Sequence, residues 1–148
     1  LVADEASHRV ADRVQTLAQY LLSIGAELPD QNYCSVGSDN IQGGRRATSH
    51  LARLGRKRIV FLGDLEPPES MQRHRGYLDA LAGAGLPIEP DLIVPAHFEV
   101  ESAEAAVDAL LRRGVAFDGI VAASDQIALG AARALLHAEV DGPAVRSE

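Results

Sequence analysis

Gln42, Arg73, Phe98, Ser124 and Asp125 are the side chains whose type and setting give them chemistry to do. A guanidinium, a carboxylate, an amide and one aromatic face suit a small polyhydroxylated or heterocyclic ligand. Charged groups hold its hydroxyls and the ring covers an apolar face. In open α/β sheets, ligands bind beyond the carboxyl ends of the strands, where loops and helix N-termini converge. Gln42 and the Gly43-Gly44 pair open one helical stretch, and Arg73 stands at the start of the next. Phe98 follows a strand-like run ending at Pro95, and Ser124-Asp125 follow one ending at Ala123. Each residue also has a plain structural reading. Asp125 serves equally as an N-cap worth about 1 kcal/mol, Arg73 as a solvated helix residue, and Phe98 as core.

Catalytic signatures are missing. There is no G-x-S-x-G elbow, no phosphate loop ending in G-K-[ST], no H-E-x-x-H and no cysteine cluster. The five histidines, at positions 8, 50, 74, 97 and 137, have no metal-ligand spacing. Cys34 beside Ser35 lacks the strand-turn-helix setting of a nucleophile. The sequence therefore predicts no enzyme, no metal and no cofactor. Against 14 Lys and Arg stand 21 Asp and Glu, a net charge of −7, the wrong sign for gripping nucleic acid by counterion release. One cysteine cannot form an internal disulfide, and no apolar run reaches membrane-spanning length. A reduced, cytoplasmic setting is the expectation, with no membrane partner. The chain opens on Leu1 and reads as an internal piece of a longer protein.

The elements that must carry these residues alternate. Arg58 to Gly63 reads as a buried strand, because an unbroken apolar run has no polar face to show solvent. Asp64 to Ser70, with Pro67 and Pro68, reads as a loop, and Met71 to Ala84 as a helix stopped by Gly85. A second unit follows: strand Leu92 to Pro95, Ser102 as N-cap, and helix Ala105 to Arg113. A third comprises strand Gly119 to Ala123 and helix Gln126 to His137. Ahead of these, Gln42 to Leu54 reads as a helix burying Ala47, Leu51 and Leu54, with Arg45, Arg46 and Arg53 on its solvated side. Toward the N-terminus the pattern predicts a helix over Ala6 to Leu22, a strand stub at Ser23 to Ala26 and a loop from Leu28 to Tyr33. Repeated βαβ units imply a parallel sheet flanked by helices.

Four collinear blocks carry a resemblance: SVGSDNIQGGRRATSHLARLGRKRIVFLGD (35–64), QRHRGYLDALAGAGLPIEPDLIV (72–94), HFEVESAEAAVDALL (97–111) and DGIVAASDQIALGAARAL (118–135). Together they resemble the effector-binding core of the lactose/galactose-repressor (LacI/GalR) family of bacterial transcription regulators. That core looks like the type I periplasmic sugar-binding proteins. The resemblance implies a two-lobed α/β module that binds a small effector, dimerises, and signals to a helix-turn-helix head absent from this chain. By similarity, the family's effector-contacting arginine falls on Arg73, its cleft aromatic on Phe98 and its [NS]-D pair on Ser124-Asp125. The polar position before the helix falls on Gln42, with Asp39 and Asn40 beside the lobe crossing.

The resemblance makes residues 1–38 a remnant of the N-terminal lobe and lobe crossing, 39–138 the C-terminal lobe, and 139–148 an irregular tail. Mostly one lobe is then present. The implied partners are a sugar or related metabolite, operator DNA through the missing head, and a second copy of the chain. An extracytoplasmic solute-binding protein of a transporter is the rival reading, since it shares the lobed core, and an α/β enzyme of unrecognised chemistry is a third. On the sequence alone, Arg73→Ala is expected to weaken effector binding by about 1.5 to 3 kcal/mol and to leave the fold intact.

Overall fold

The computed structural model describes residues 22–28, 30 and 34–141, and separates into two units, Leu1–Asp39 and Asn40–Glu148. In the first, strands β1 (Leu22–Ile24) and β2 (Cys34–Val36) pair in parallel, Leu22 opposite Cys34 and Ile24 opposite Val36. The helix expected over Ala6 to Leu22 lies outside the described residues, apart from Leu22 itself, which opens β1.

The second unit is built on three parallel strands, β3 (Ile59–Leu62), β4 (Ile93–Val94) and β5 (Gly119–Ala122), in the order β4-β3-β5. Phe61 sits opposite both Ile93 and Val121, which sets the register. Four helices complete it: α1 (Asn40–Arg53), α2 (Pro68–Gly83), α3 (Val100–Arg112) and α4 (Asp125–Asp141). α1 packs on α2, and α3 packs on α4. Because α2 crosses from β3 to one side and α3 crosses back to the other, right-handed connections put them on opposite faces of the sheet. All four residues of β3 are consequently buried, as its continuous apolar run requires. Around it pack Tyr77 and Leu81 of α2, Ala103, Val107 and Leu110 of α3, and Ile127, Ala131 and Ala134 of α4. Tyr77 crosses to the sheet, its hydroxyl donating to the Ile59 carbonyl at 2.8 Å. Burial, together with the charge of Glu89, pushes that phenol up to about 12. At the amino ends of the strands, the two carboxylate oxygens of Asp118 accept the Lys57 and Arg58 N–H groups at 2.8 and 2.9 Å.

The parallel sheet flanked by helices agrees with the sequence, but several boundaries move. α2 starts at Pro68 and not at Met71, because proline at the first helical position gives up an N–H that has no helical partner there. α3 starts at Val100, not Ala105, and Ser102 is no cap: its Oγ accepts the His97 N–H at 3.0 Å. Leu92 closes a short 3₁₀ turn (Pro90–Leu92), so β4 shrinks to two residues. α4 runs on to Asp141.

The largest correction concerns the buried face of α1. Ala47 and Leu54 are exposed, while Asn40, Gly44 and Thr48 are buried, with Leu51 and Ala52 half-buried. Backbone proximity selects this face. A Cβ on Gly44 would lie 2.0 Å from the Arg73 carbonyl oxygen, and one on Gly76 would lie 1.9 Å from that of Ile41. Only glycine lets the two helices approach so closely. Thr48 tolerates burial because its hydroxyl donates back to the Gly44 carbonyl at 2.8 Å.

Candidate functional site

Parallel strands deliver their following loops to one rim, and four of the predicted residues, Asn40, Arg73, Ser124 and Asp125, meet there. Arg73, in the second turn of α2, reaches across to two other elements. Its Nε donates to Asn40 Oδ1 at 2.9 Å, and a terminal nitrogen donates to the carbonyl of Ala123, just past β5. Asn40 is buried at the start of α1, and its amide donates to Gln72 Oε1 at 3.1 Å. A chain of polar contacts therefore links α2, α1 and the end of β5. A guanidinium has five N–H donors; two are committed, and three remain for a ligand.

Beside this clamp is a cavity of about 720 Å³, lined by Ala47, His50, Leu51, Arg73, the segment from Ile120 to Asp125, and Ala128. Ligand sites commonly enclose roughly 300 to 1,000 Å³, mostly apolar with a few polar groups. Here the polar groups are Arg73, His50, Ser124 and Asp125. The cap of α4 is Ser124, not Asp125. The Ser124 Oγ accepts the Ile127 N–H at 3.3 Å, and its carbonyl accepts that of Ala128 at 2.9 Å. Asp125 becomes the first helical residue. It is exposed, and its carboxylate makes no hydrogen bond or ion pair among the described residues. The helix dipole stabilises its negative charge there.

The remaining predicted residues lie elsewhere. Phe98 is 36% exposed on the loop after β4 and does not line the cavity. Its loop is braced: the His97 Nδ1 sits 3.0 Å from Asp64 Oδ2, and Glu99 N–H donates to the His97 carbonyl at 2.7 Å. Gln42 lies on the outer face of α1, in a separate hollow with Arg45, Arg46, Ser49 and Arg53. Asp39 is exposed and belongs to the first unit. His50 is the lining residue that sequence reasoning missed. Its only sequence signal is its place ten residues beyond Asn40 on the same helix. No group of three or more His, Cys, Asp or Glu is placed to hold a metal among the described residues, and none of their helices is long and apolar enough to cross a membrane.

A parallel α/β lobe with a polar clamp and an open cavity at its carboxyl rim defines a small-molecule-binding module. The chain belongs to the family of periplasmic binding proteins and sugar-binding domains of the LacI family, which matches residues 8–145. It is 32% identical over 127 residues to the HTH-type transcriptional regulator AscG of Escherichia coli (strain K12), an alignment covering 85% of this chain and 38% of that protein. A sugar-binding LacI-family regulator from Escherichia coli, solved in complex with phosphate, superposes with a TM-score of 0.75 at 31% identity, over 88% of this chain and 47% of that one. The CelR–cellobiose complex superposes with a TM-score of 0.70 at 25% identity, over 88% and 48%. The chain thus spans under two-fifths of the curated relative and about half of each solved structure.

Proposed function

We propose that this chain is the effector-sensing part of a dimeric, cytoplasmic, DNA-binding bacterial transcription repressor, and that it catalyses no reaction. Residues 39–138 form its C-terminal lobe, and residues 1–38 belong to the N-terminal lobe and crossing. The ligand is a sugar or related metabolite. The observation that carries this is the Arg73 clamp: a guanidinium held by Asn40 and the Ala123 carbonyl at a cavity whose rim also bears the uncommitted Asp125 carboxylate. Arg73 donates to ligand oxygens, Asp125 accepts from ligand hydroxyls, and Asn40 positions Arg73. Ser124 sets the helix end that presents Asp125, whereas Phe98 and Gln42, assigned to the effector by resemblance, lie outside this cavity. Clamping Arg73 beforehand lowers the ordering cost of binding. Relatives named as transcriptional regulators, among them AscG, support regulation over transport. Effector acts by population shift: it favours the arrangement it binds better, and a helix-turn-helix head outside this chain reads that arrangement at operator DNA.

The test is a thermal-shift screen of this chain against cellobiose, ribose, other sugars and nucleobases. A ligand at about one hundred times its Kd stabilises the fold by about 2.7 kcal/mol. Asp125→Asn abolishes most of that shift. A panel in which no compound raises Tm, or a hit indifferent to Asp125→Asn, refutes the assignment.

A further inference from the structure

α1 carries a second polar constellation, on its more exposed side. Gln42, Arg46, Ser49 and Arg53 recur at i, i+4, i+7 and i+11, which places them in one stripe along the helix, with Arg45 beside it. These five residues line a hollow of about 270 Å³. The helix cannot roll to hide them, because Gly44 and Gly76 lock its other face against α2 at backbone contact. The three guanidiniums have no carboxylate within 4 Å and no hydrogen bond among the described residues. Arg58 and Arg113, by contrast, find Glu89 at 2.8 Å and Asp91 at 2.9 Å, and the chain has seven more carboxylates than cations. A favourable helix-dipole position accounts for Arg53 in the last turn. It does not account for Arg45 and Arg46, since that effect fades within one turn of the terminus.

We propose that this face is a second ligand site, separate from the Arg73 cavity, that holds a phosphoryl group. Guanidinium forks match the oxygens of a tetrahedral oxyanion two at a time, and they are more weakly hydrated than ammonium groups. The Ser49 hydroxyl supplies a further donor for a doubly charged group. The hollow is below the size of whole-ligand pockets, so it takes the charged group of a small molecule and leaves the rest in solvent. A long polyanion is the poorer fit: three cations on one helix neutralise few phosphates, and the chain as a whole carries a net charge of −7. Asp79 lines the adjoining hollow with Arg45, Ser49 and Arg53. Its charge opposes the ligand, which gives the site an internal control of opposite sign.

Inorganic phosphate and glucose 6-phosphate, titrated separately against this chain at low ionic strength and followed by NMR, test the site, with potassium chloride as the control for plain screening. Expected is saturable binding of at least one of them, weakened about fivefold or more by Arg46→Gln and by Arg53→Gln. Asp79→Asn tightens it about two- to threefold, and Arg133→Gln on exposed α4 leaves it unchanged. Binding by both probes identifies the phosphoryl group alone as the ligand, and binding by the ester alone identifies a sugar phosphate. Urea midpoints confirm that each variant folds. Shifts reproduced by chloride, binding indifferent to Arg46 and Arg53, binding that Asp125→Asn abolishes, or retention of random duplex DNA through these arginines without phosphate binding each overturn the proposal.

Discussion

Replacing Arg73 by alanine removes two hydrogen bonds that join three elements of the second unit. Nε holds Asn40 Oδ1 at 2.9 Å, and a terminal nitrogen holds the Ala123 carbonyl. Hydrogen bonds from a charged donor contribute about 1.5 kcal/mol or more each, so the gross loss is about 3 kcal/mol. Arg73 is only half-buried, and water entering the gap resolvates part of what is stranded. The expected net loss is about 2 kcal/mol, or roughly 5–10 °C in Tm for a chain of this size. Arg73 thus braces the fold as well as lining the cavity, which adds a stability cost to the expected loss of effector binding. The assay is urea unfolding of wild type, Arg73→Ala, Asn40→Ala and the double variant. A coupling of about 1 kcal/mol between Asn40 and Arg73 is expected, because each loses its partner with the other. A loss under about 0.5 kcal/mol for Arg73→Ala, or strictly additive variants, refutes the clamp.

Two further outcomes follow from the packing around α2. His74 packs against Phe61 and Tyr77, with ring centroids 4.9 and 5.9 Å away, and its Nε2 is buried without a hydrogen-bond partner among the described residues. Burial holds its pKa below 6.5. Above that pH both folded and unfolded chains carry neutral His74, whereas below it the unfolded chain takes the proton more readily. Stability therefore falls as pH drops through about 6.5 and levels off below the folded value. Urea midpoints near pH 7.5 and 5.5 should show a larger acid loss for wild type than for His74→Phe, and equal losses would contradict the burial. Gly76→Ala drives a methyl group against the Ile41 carbonyl. It should cost more than about 2 kcal/mol in unfolding, whereas Gly83→Ala on the same helix, where a Cβ meets nothing within 4 Å, should be neutral or better.

The sheet was legible in the sequence wherever burial forces an unbroken apolar run, as in Ile59–Leu62 and Gly119–Ala122. Helix existence was legible from Ala and Leu periodicity, and helix starts were not. Pro67-Pro68 reads as a breaker until it is seen that proline at a first helical position is harmless. The face of α1 was misread for a deeper reason. Hydrophobicity favours Ala47, Leu51 and Leu54, but the contact is made by backbone at Gly44 and Gly76, and a missing side chain leaves no periodic signal. At the site, Arg73, Ser124 and Asp125 could be placed because each lies beside a recognisable strand or helix end. The Asn40–Arg73 bond spans 33 residues, and His50 enters the cavity only through the orientation of α1, so neither is written in local pattern.

Among the described residues β5 has a neighbour only on its β3 side. Along Gly119–Ala122, the amide and carbonyl groups pointing the other way form a short open ladder among the described residues, bordered by two hollows that share Ile120, Ala122 and Ala128. A strand edge of this kind accepts a further strand through main-chain bonds.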